Sequence, residues 1–241
     1  MIHLVKIVVT AIVALLFGAC TFTVGGETVK GNGDVVTKER DLTNFTKVEV
    51  SKGLDCEITQ GETFKVTVEA DSNIHQYIKT TVTNGVLKIT SKYGNYRNVS
   101  SKKVYVTMPV IDQLETTSAS DLTTNGIIKS NNILLKSSSA SDLTANIESQ
   151  QITLEASSGS DLNVSGKAIK LFTLSSSGSD IDAKDLLANE VDAQSSSGSD
   201  TKVSPLLALK AHASSGSSID YYTKPKHKAI ESSSGGSISA Q

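Results

Sequence analysis

The sequence predicts an all-β protein, a right-handed parallel β-helix of about seven rungs preceded by a β-rich region. Three observations predict it. A unit of 19–20 residues recurs seven times after residue 110, centred on TSASDL, SSASDL, SSGSDL, SSGSDI, SSGSDT, SSGSSI and SSGGSI. Within each unit, apolar or small residues fall on odd positions counted from the anchor, and polar residues on even ones. No apolar 3.6-residue pattern appears, and the Ser, Thr, Gly and β-branched content disfavours helix. A fixed period of this length marks a unit that buries its apolar face only by stacking on its neighbours.

The anchors are Asp121, Asp142, Asp161, Asp180, Asp200, Ser218 and Ser237, spaced 21, 19, 19, 20, 18 and 19 residues apart. Nine residues before them stand Ile133, Ile152, Leu171, Val191 and Leu209. Seven before stand Leu114, Leu135, Leu154, Ala193, Ala211 and Ile230, and one after stand Leu122, Leu143, Leu162, Ile181 and Ile219. That period of two is a strand with one face inside. Strands of this length without a hairpin turn at each half period suit a coil of two or three strands per rung.

Serine stands three residues before every anchor, at 118, 139, 158, 177, 197, 215 and 234. Its parity is inward, so the expectation is an interior ladder of hydroxyls bonded between rungs. Two before the anchor the residue is always Ala or Gly, which marks a bend or a close backbone approach. The SxSD block is therefore read as a corner of the coil.

Asp121, Asp142, Asp161, Asp180 and Asp200 have outward parity, and rungs stack ~4.8 Å apart. Carboxylates that close repel by roughly 1 kcal/mol per pair in water, so the column needs relief. Hydroxyl and amide partners at a turn supply it in one account, and a row of bound Ca²⁺ supplies it in the other. The GGxGxD spacing of calcium-binding rolls is missing. With the hydroxyls four before each anchor, from Thr117 to Ser233, the column makes a flat, repetitive polar face suited to a glycan or a protein strand. Tyr93, Tyr96 and Arg97, in KYGNYRN, form a candidate stacking patch in a loop.

Residues 1–19 carry Lys6, an apolar run from Ile7 to Phe17, and Gly18-Ala19 before Cys20. A charged start, a short apolar run and small residues before a cut describe a signal peptide. Cys20 after Gly-Ala resembles a bacterial lipobox, with cleavage before the cysteine and acylation of its thiol to anchor the chain in a membrane. The run is shorter than the roughly 20 residues that span a bilayer. Residues 20–44 read as a polar leader with short strands near 28–30 and 35–37, and residues 45–110 as the β-rich part of the head. There, strands are expected at 47–50, 55–59, 64–69 and 104–108, and an Asn84-Gly85 hairpin turn joins 80–83 to 86–90. Asp71-Ser72-Asn73 is expected to cap a short amphipathic stretch from Ile74 to Lys79. Cys56, among strand residues, reads as a buried free thiol. The repeats fill residues 111–241.

The stretch FTKVEVSKGLDCEITQGETFKVTVEADSNIHQYIKTTVTNGVLKIT, then VYVTMP, then repeated SGSDL blocks resembles the head GIN domain of putative auto-transporter adhesins, common as exported lipoproteins of Bacteroidetes-type bacteria. The resemblance covers residues 45 to 241. It implies a β-helix-like fold and an adhesin-like head, and it brings no catalytic residues with it.

The formal net charge of −2 and the pI near 6.1, with no basic run, argue against nucleic-acid binding. Catalysis has little support. The Asp column repeats evenly where a glycosidase concentrates a carboxylate pair, and the four histidines keep no fixed offset from the serines. The sequence therefore predicts a non-enzymatic envelope lipoprotein, either an adhesin-like head or a periplasmic-facing structural or sensing protein with a protein partner. TFTVGG after Cys20 lacks an acidic surface-export cluster and leaves the side of the outer membrane open. A last rung with open strand edges predicts end-to-end pairing of two copies.

Overall fold

The computed structural model describes residues 28–241, and all of its regular elements are strands. The N-terminal part holds β1 (Thr28–Lys30), β2 (Val35–Arg40), β3 (Lys47–Ser51), β4 (Asp55–Gln60) and β5 (Lys65–Asp71). It continues with β6 (Ile78–Thr83), β7 (Val86–Ser91), β8 (Asn95–Arg97) and β9 (Lys102–Met108). The repeats supply β10 (Gln113–Thr117), β11 (Asp121–Ser138), β12 (Asp142–Ser157), β13 (Asp161–Ser176) and β14 (Asp180–Ser195). β15 (Asp200–Ala213), β16 (Ser218–Tyr221), β17 (His227–Ser232) and β18 (Ser237–Ala240) complete the chain.

The repeats stack as a parallel β-solenoid. Equivalent positions pair rung to rung: Leu122 with Leu143, Leu143 with Leu162, and Leu162 with Ile181. The predicted inward columns are buried, with Leu122, Leu135, Leu143, Leu154, Leu162, Leu171 and Ile181 at most 1% exposed. Each such side chain taken from water contributes about 1.5–3 kcal/mol.

The N-terminal part is more tightly joined to this stack than a preceding region would be. β3 pairs in parallel with β10 and β4 with β11, so residues 47–60 form a rung of the same solenoid. The chain then leaves, and β7 and β9 return to lie beneath β3 and β4. Below them the sheets turn antiparallel, with β6 on β7, β5 on β9 and β2 on β5. Such strands close that end of the stack. Residues 28–44, read as part of a leader, belong to this closure: β2 pairs with β5, and β1 pairs with β8.

The segment from Ile74 is not a helix. Residues 72–77 are turns, and β6 begins at Ile78. Asp71 does not cap a helix but accepts backbone N–H bonds from Gly33 (2.8 Å), Ser100 (2.9 Å) and Ser101 (3.1 Å). Tertiary donors outcompete a helix start too short to be stable alone. Cys56 is buried and free, and burial pushes its thiol up.

One expectation about the corners is overturned. The serines at 118, 139, 158, 177, 197, 215 and 234 are exposed and do not line the interior. Each has positive φ, 58° at Ser118 and 59° at Ser139, and so does the Ala or Gly after it. Two left-handed residues in succession break the in–out alternation on which the parity argument rested. The interior hydroxyls are those one residue before the anchor, Ser120, Ser141, Ser160, Ser179, Ser199 and Ser217, and those five before it, Thr116, Ser137, Ser175 and Ser195. The Ser141 hydroxyl accepts the N–H of Ser138 (3.2 Å), and Ser160, Ser179, Ser199 and Ser217 repeat the bond. Ser160 donates to the Ser137 carbonyl of the neighbouring rung at 2.7 Å, and Ser217 to that of Ser195 at 2.8 Å. A buried hydroxyl thus closes these five corners, and at Ser160 and Ser217 it also ties the corner to the neighbouring rung. The Ala/Gly position is a bend, as expected, without a close approach: a Cβ at Gly159, Gly178, Gly198 or Gly216 would meet nothing within 4 Å.

At the far end, β17 is exposed throughout, and Ile230, which pairs with Ala211 in an inward column, is 44% exposed. Lys228 occupies the inward column beside Leu209, its ammonium 3.3 Å from the Tyr221 hydroxyl. An inward charge is one of the features that blunt a strand edge against pairing.

Candidate functional site

The solenoid turns alternate residues outward in register, so each outward column is a line of side chains across the rungs. The aspartate column runs Asp121–Asp142–Asp161–Asp180–Asp200 and continues into Ser218 and Ser237. It also extends to Asp55, which pairs with Asp121. Asp55 closes S-K-G-L-D, an additional copy of the corner, with Lys52 and Gly53 at φ 62° and 69°. Its signal was legible: Ser, a small residue at the bend and Asp followed by an apolar residue, separated from the other copies by the inserted strands.

Both ends of this column are relieved. The Lys102 ammonium lies 3.4 Å from Asp55 and also bonds the Gly53 carbonyl, and the Ser218 hydroxyl donates to Asp200 at 2.5 Å. The middle is not. Partial burial, then the charges of Asp55 and Asp142, raise the Asp121 carboxyl above its ordinary range. Partial burial, then Asp142 and Asp180, raise that of Asp161. The carboxylates stand in single file, and among the described residues no three acidic, His or Cys groups converge as metal ligands do.

A raised carboxyl binds protons more readily folded than unfolded, so its penalty is absent below the ordinary value near 3.8. It builds as pH rises through the folded value and is constant above. Asp161→Asn is therefore expected to stabilise the protein at pH 7 by about 0.5 kcal/mol, roughly 1–2 °C in Tm. The gain vanishes below the ordinary carboxylate value. Paired thermal melts at neutral and acid pH check both halves, and an equal gain at both would place the effect outside the charge column.

The three residues of the predicted stacking patch are brought near one another but are engaged within the chain. Tyr93 packs edge-on against Tyr77 at 4.9 Å between ring centres. The Tyr96 hydroxyl bonds Ser91. Arg97, exposed in β8, pairs through its backbone with Lys30. Sequence reasoning missed a shallow hollow of about 390 Å³ across β13, β14, β15 and β17. Phe172, 37% exposed, flanks it beside the Lys210–Asp192 ion pair (2.9 Å). The small side chains of Ala208 and Ala229 open it. Only a register map places Phe172, Asp192, Lys210 and Ala229 side by side.

These features define a β-solenoid head whose distinctive surfaces are repetitive outward columns. The model of one protein family, described as "Putative auto-transporter adhesin, head GIN domain", matches residues 44–225, and the chain belongs to that family. Solved structures of similar fold include a putative adhesin from Bacteroides fragilis, at TM-score 0.83 and 19% identity, covering 88% of this chain and 100% of the other. Another is a putative lipid binding protein from Parabacteroides distasonis, at TM-score 0.75 and 18% identity, covering 89% and 100%. A putative adhesin from Parabacteroides merdae matches at TM-score 0.67 and 16% identity, covering 89% and 99%. No curated protein matches the chain. Cys20 and the signal segment lie outside the described residues.

Proposed function

We propose that this chain is an exported, lipid-anchored envelope protein whose solenoid is a non-catalytic, adhesin-like head. It holds a glycan or protein ligand along the edge formed by the aspartate column and the corner hydroxyls. The observation that carries this reading is the register-locked lattice of Asp and Ser side chains, repeating every ~4.8 Å. A repeating ligand meets the same donors and acceptors at each step, so weak contacts add along its length. Membership in the adhesin-head family and the lipobox-like Gly18-Ala19-Cys20 support the envelope location.

Protease treatment of intact cells, with lysed cells as control, tests the reading. Loss of the chain from intact cells is the expected result. Protection until lysis would overturn adhesion and leave a periplasmic structural or sensing role with a protein partner, which crosslinking would identify.

A further inference from the structure

On the corner of the solenoid opposite the SxSD turns, the surface changes character partway along. In β11 and β12 the corner is polar, with Ser130 and Asn131, then Ser149 and Gln150. From β13 onward exposed apolar side chains gather at it, with Asn189 between them in β14. Ser130, Ser149, Ala168, Ala188 and Pro205 share one column, and the residues just past the last three are Ile169, Asn189 and the pair Leu206-Leu207. β15 carries one residue more here than β14, and the register shift turns two successive leucines outward, 40% and 41% exposed. Ser204 and Pro205, immediately before them, are buried. Ile169 is 50% exposed and Leu187 41%. Tyr222 continues the line at 41%, since its N–H bonds the Val203 carbonyl (3.0 Å) and the Thr223 hydroxyl bonds that of Pro205.

The free charge around this ridge is mostly positive. Glu190 pairs with Lys170 at 3.7 Å and Asp182 with Lys184 at 3.2 Å, while Asp185 is exposed and in no ion pair among the described residues. Lys167, Lys224 and Lys226 are exposed and in no ion pair with a carboxylate among the described residues.

We propose that this ridge docks on an anionic lipid surface, with Ile169, Leu187, Leu206 and Leu207 in the interfacial layer. Tyr222 lies at headgroup level and the three lysines against the lipid charges. Contiguous exposed apolar side chains mark an interaction site, and Tyr favours the water–lipid interface. Unpaired cations beside an apolar ridge complement a surface whose headgroups are negative and whose interior is apolar. A folded partner protein needs fixed carboxylates to meet these lysines, whereas a fluid anionic leaflet supplies them at any spacing. The proposal rests on the envelope reading only for the presence of a bilayer within reach. It leaves the aspartate edge free.

The chain contains no tryptophan, so Leu207→Trp in the full-length protein is a single fluorescent reporter. It is mixed with vesicles of phosphatidylcholine and phosphatidylglycerol, some carrying brominated acyl chains. Ile127→Trp, at an apolar position 47% exposed on β11, is the control. Both proteins carry the same N-terminal segment, so any tether it supplies is common to the two. The expected result is a blue shift and bromine quenching at 207 and not at 127. Changing Lys167, Lys224 and Lys226 to Gln in the Leu207→Trp chain lowers the docking equilibrium by about a hundredfold, at roughly fivefold per lysine. Quenching at 207 no greater than at 127, or quenching indifferent to the lysines and to salt, overturns the proposal. Protease shaving decides the adhesin reading independently of either outcome.

Discussion

Gly166→Ala is expected to cost about 4 kcal/mol or more, close to the upper end of single-substitution effects. Gly166 stands inside β13 between Ile147 and Leu186, at φ 123°, a conformation that side chains rarely adopt. A Cβ there would press into the Ile147 carbonyl, 2.8 Å from its carbon atom. That carbonyl is backbone in the adjacent rung, so relief requires the rungs to part. In a solenoid each rung is held by its neighbours, and a parted pair separates the rungs on either side. Thermal melting is expected to fall by about 8–16 °C, with early loss of the C-terminal rungs by hydrogen exchange. Gly159→Ala is the control. Its φ is also positive, but a Cβ meets nothing within 4 Å, and Ala119 and Ala140 occupy the equivalent position at φ 58° and 57°. A change there of more than about 1 kcal/mol would contradict the assignment of the cost to the steric contact.

Asp71→Ala is expected to cost about 3–5 kcal/mol and to loosen the N-terminal closure selectively. The carboxylate is fully buried, and its two oxygens accept three backbone N–H groups, from Gly33, Ser100 and Ser101. It therefore joins the loop before β2 to the loop before β9. Removing it leaves three donors without a partner where water has little access, and each orphaned donor costs about 1–3 kcal/mol. Burial works to raise this carboxyl, but the bonds from Gly33, Ser101 and Ser100 outweigh it and hold it below the ordinary range. A depressed carboxyl contributes stability above its unfolded value near 3.8, and the contribution is lost as pH falls through the folded value. The acid limb of the stability curve is thus expected to be shallower in Asp71→Ala. Denaturant melts from neutral pH to about pH 3 check this, and identical acid limbs would remove the carboxylate from the account.

The aspartate column has the opposite sign. Asp121 and Asp161 are raised, so mild acidification relieves the column before it weakens Asp71. The carboxylates respond in opposite directions because partial burial and like-charged neighbours act on Asp121 and Asp161, whereas backbone donors outweigh burial at Asp71.

Much of this molecule was legible in its residues. The columns of Leu143, Leu154 and Leu162 are visible as a period of two inside a period of 19–20, and nothing but stacking buries them. Bends at the Ala/Gly positions were likewise readable, because a site that admits almost no side chain in seven copies needs special backbone. The inward or outward sense of Ser118 and its equivalents was not readable. Parity counting assumes an unbroken strand, and two left-handed residues reset it. Asp55 and its corner were legible in S-K-G-L-D, but the strands inserted between residues 60 and 113 take them out of the repeat's period. The hollow beside Phe172 and the Leu206-Leu207 ridge depend on which residues of different rungs stand side by side. Register shifts of one or two residues decide that, and they depend on how each rung packs on the last.

By itself, then, the amino-acid sequence determined the solenoid, its repeat length, its buried columns and the outward line of aspartates, because local alternation and a fixed period leave one way to bury the leucines. Tertiary structure decided which serines are inside, how β7 and β9 slip beneath β3 and β4, and where apolar residues surface together. Those outcomes rest on long-range pairing and on backbone conformation at the corners, which no local pattern encodes.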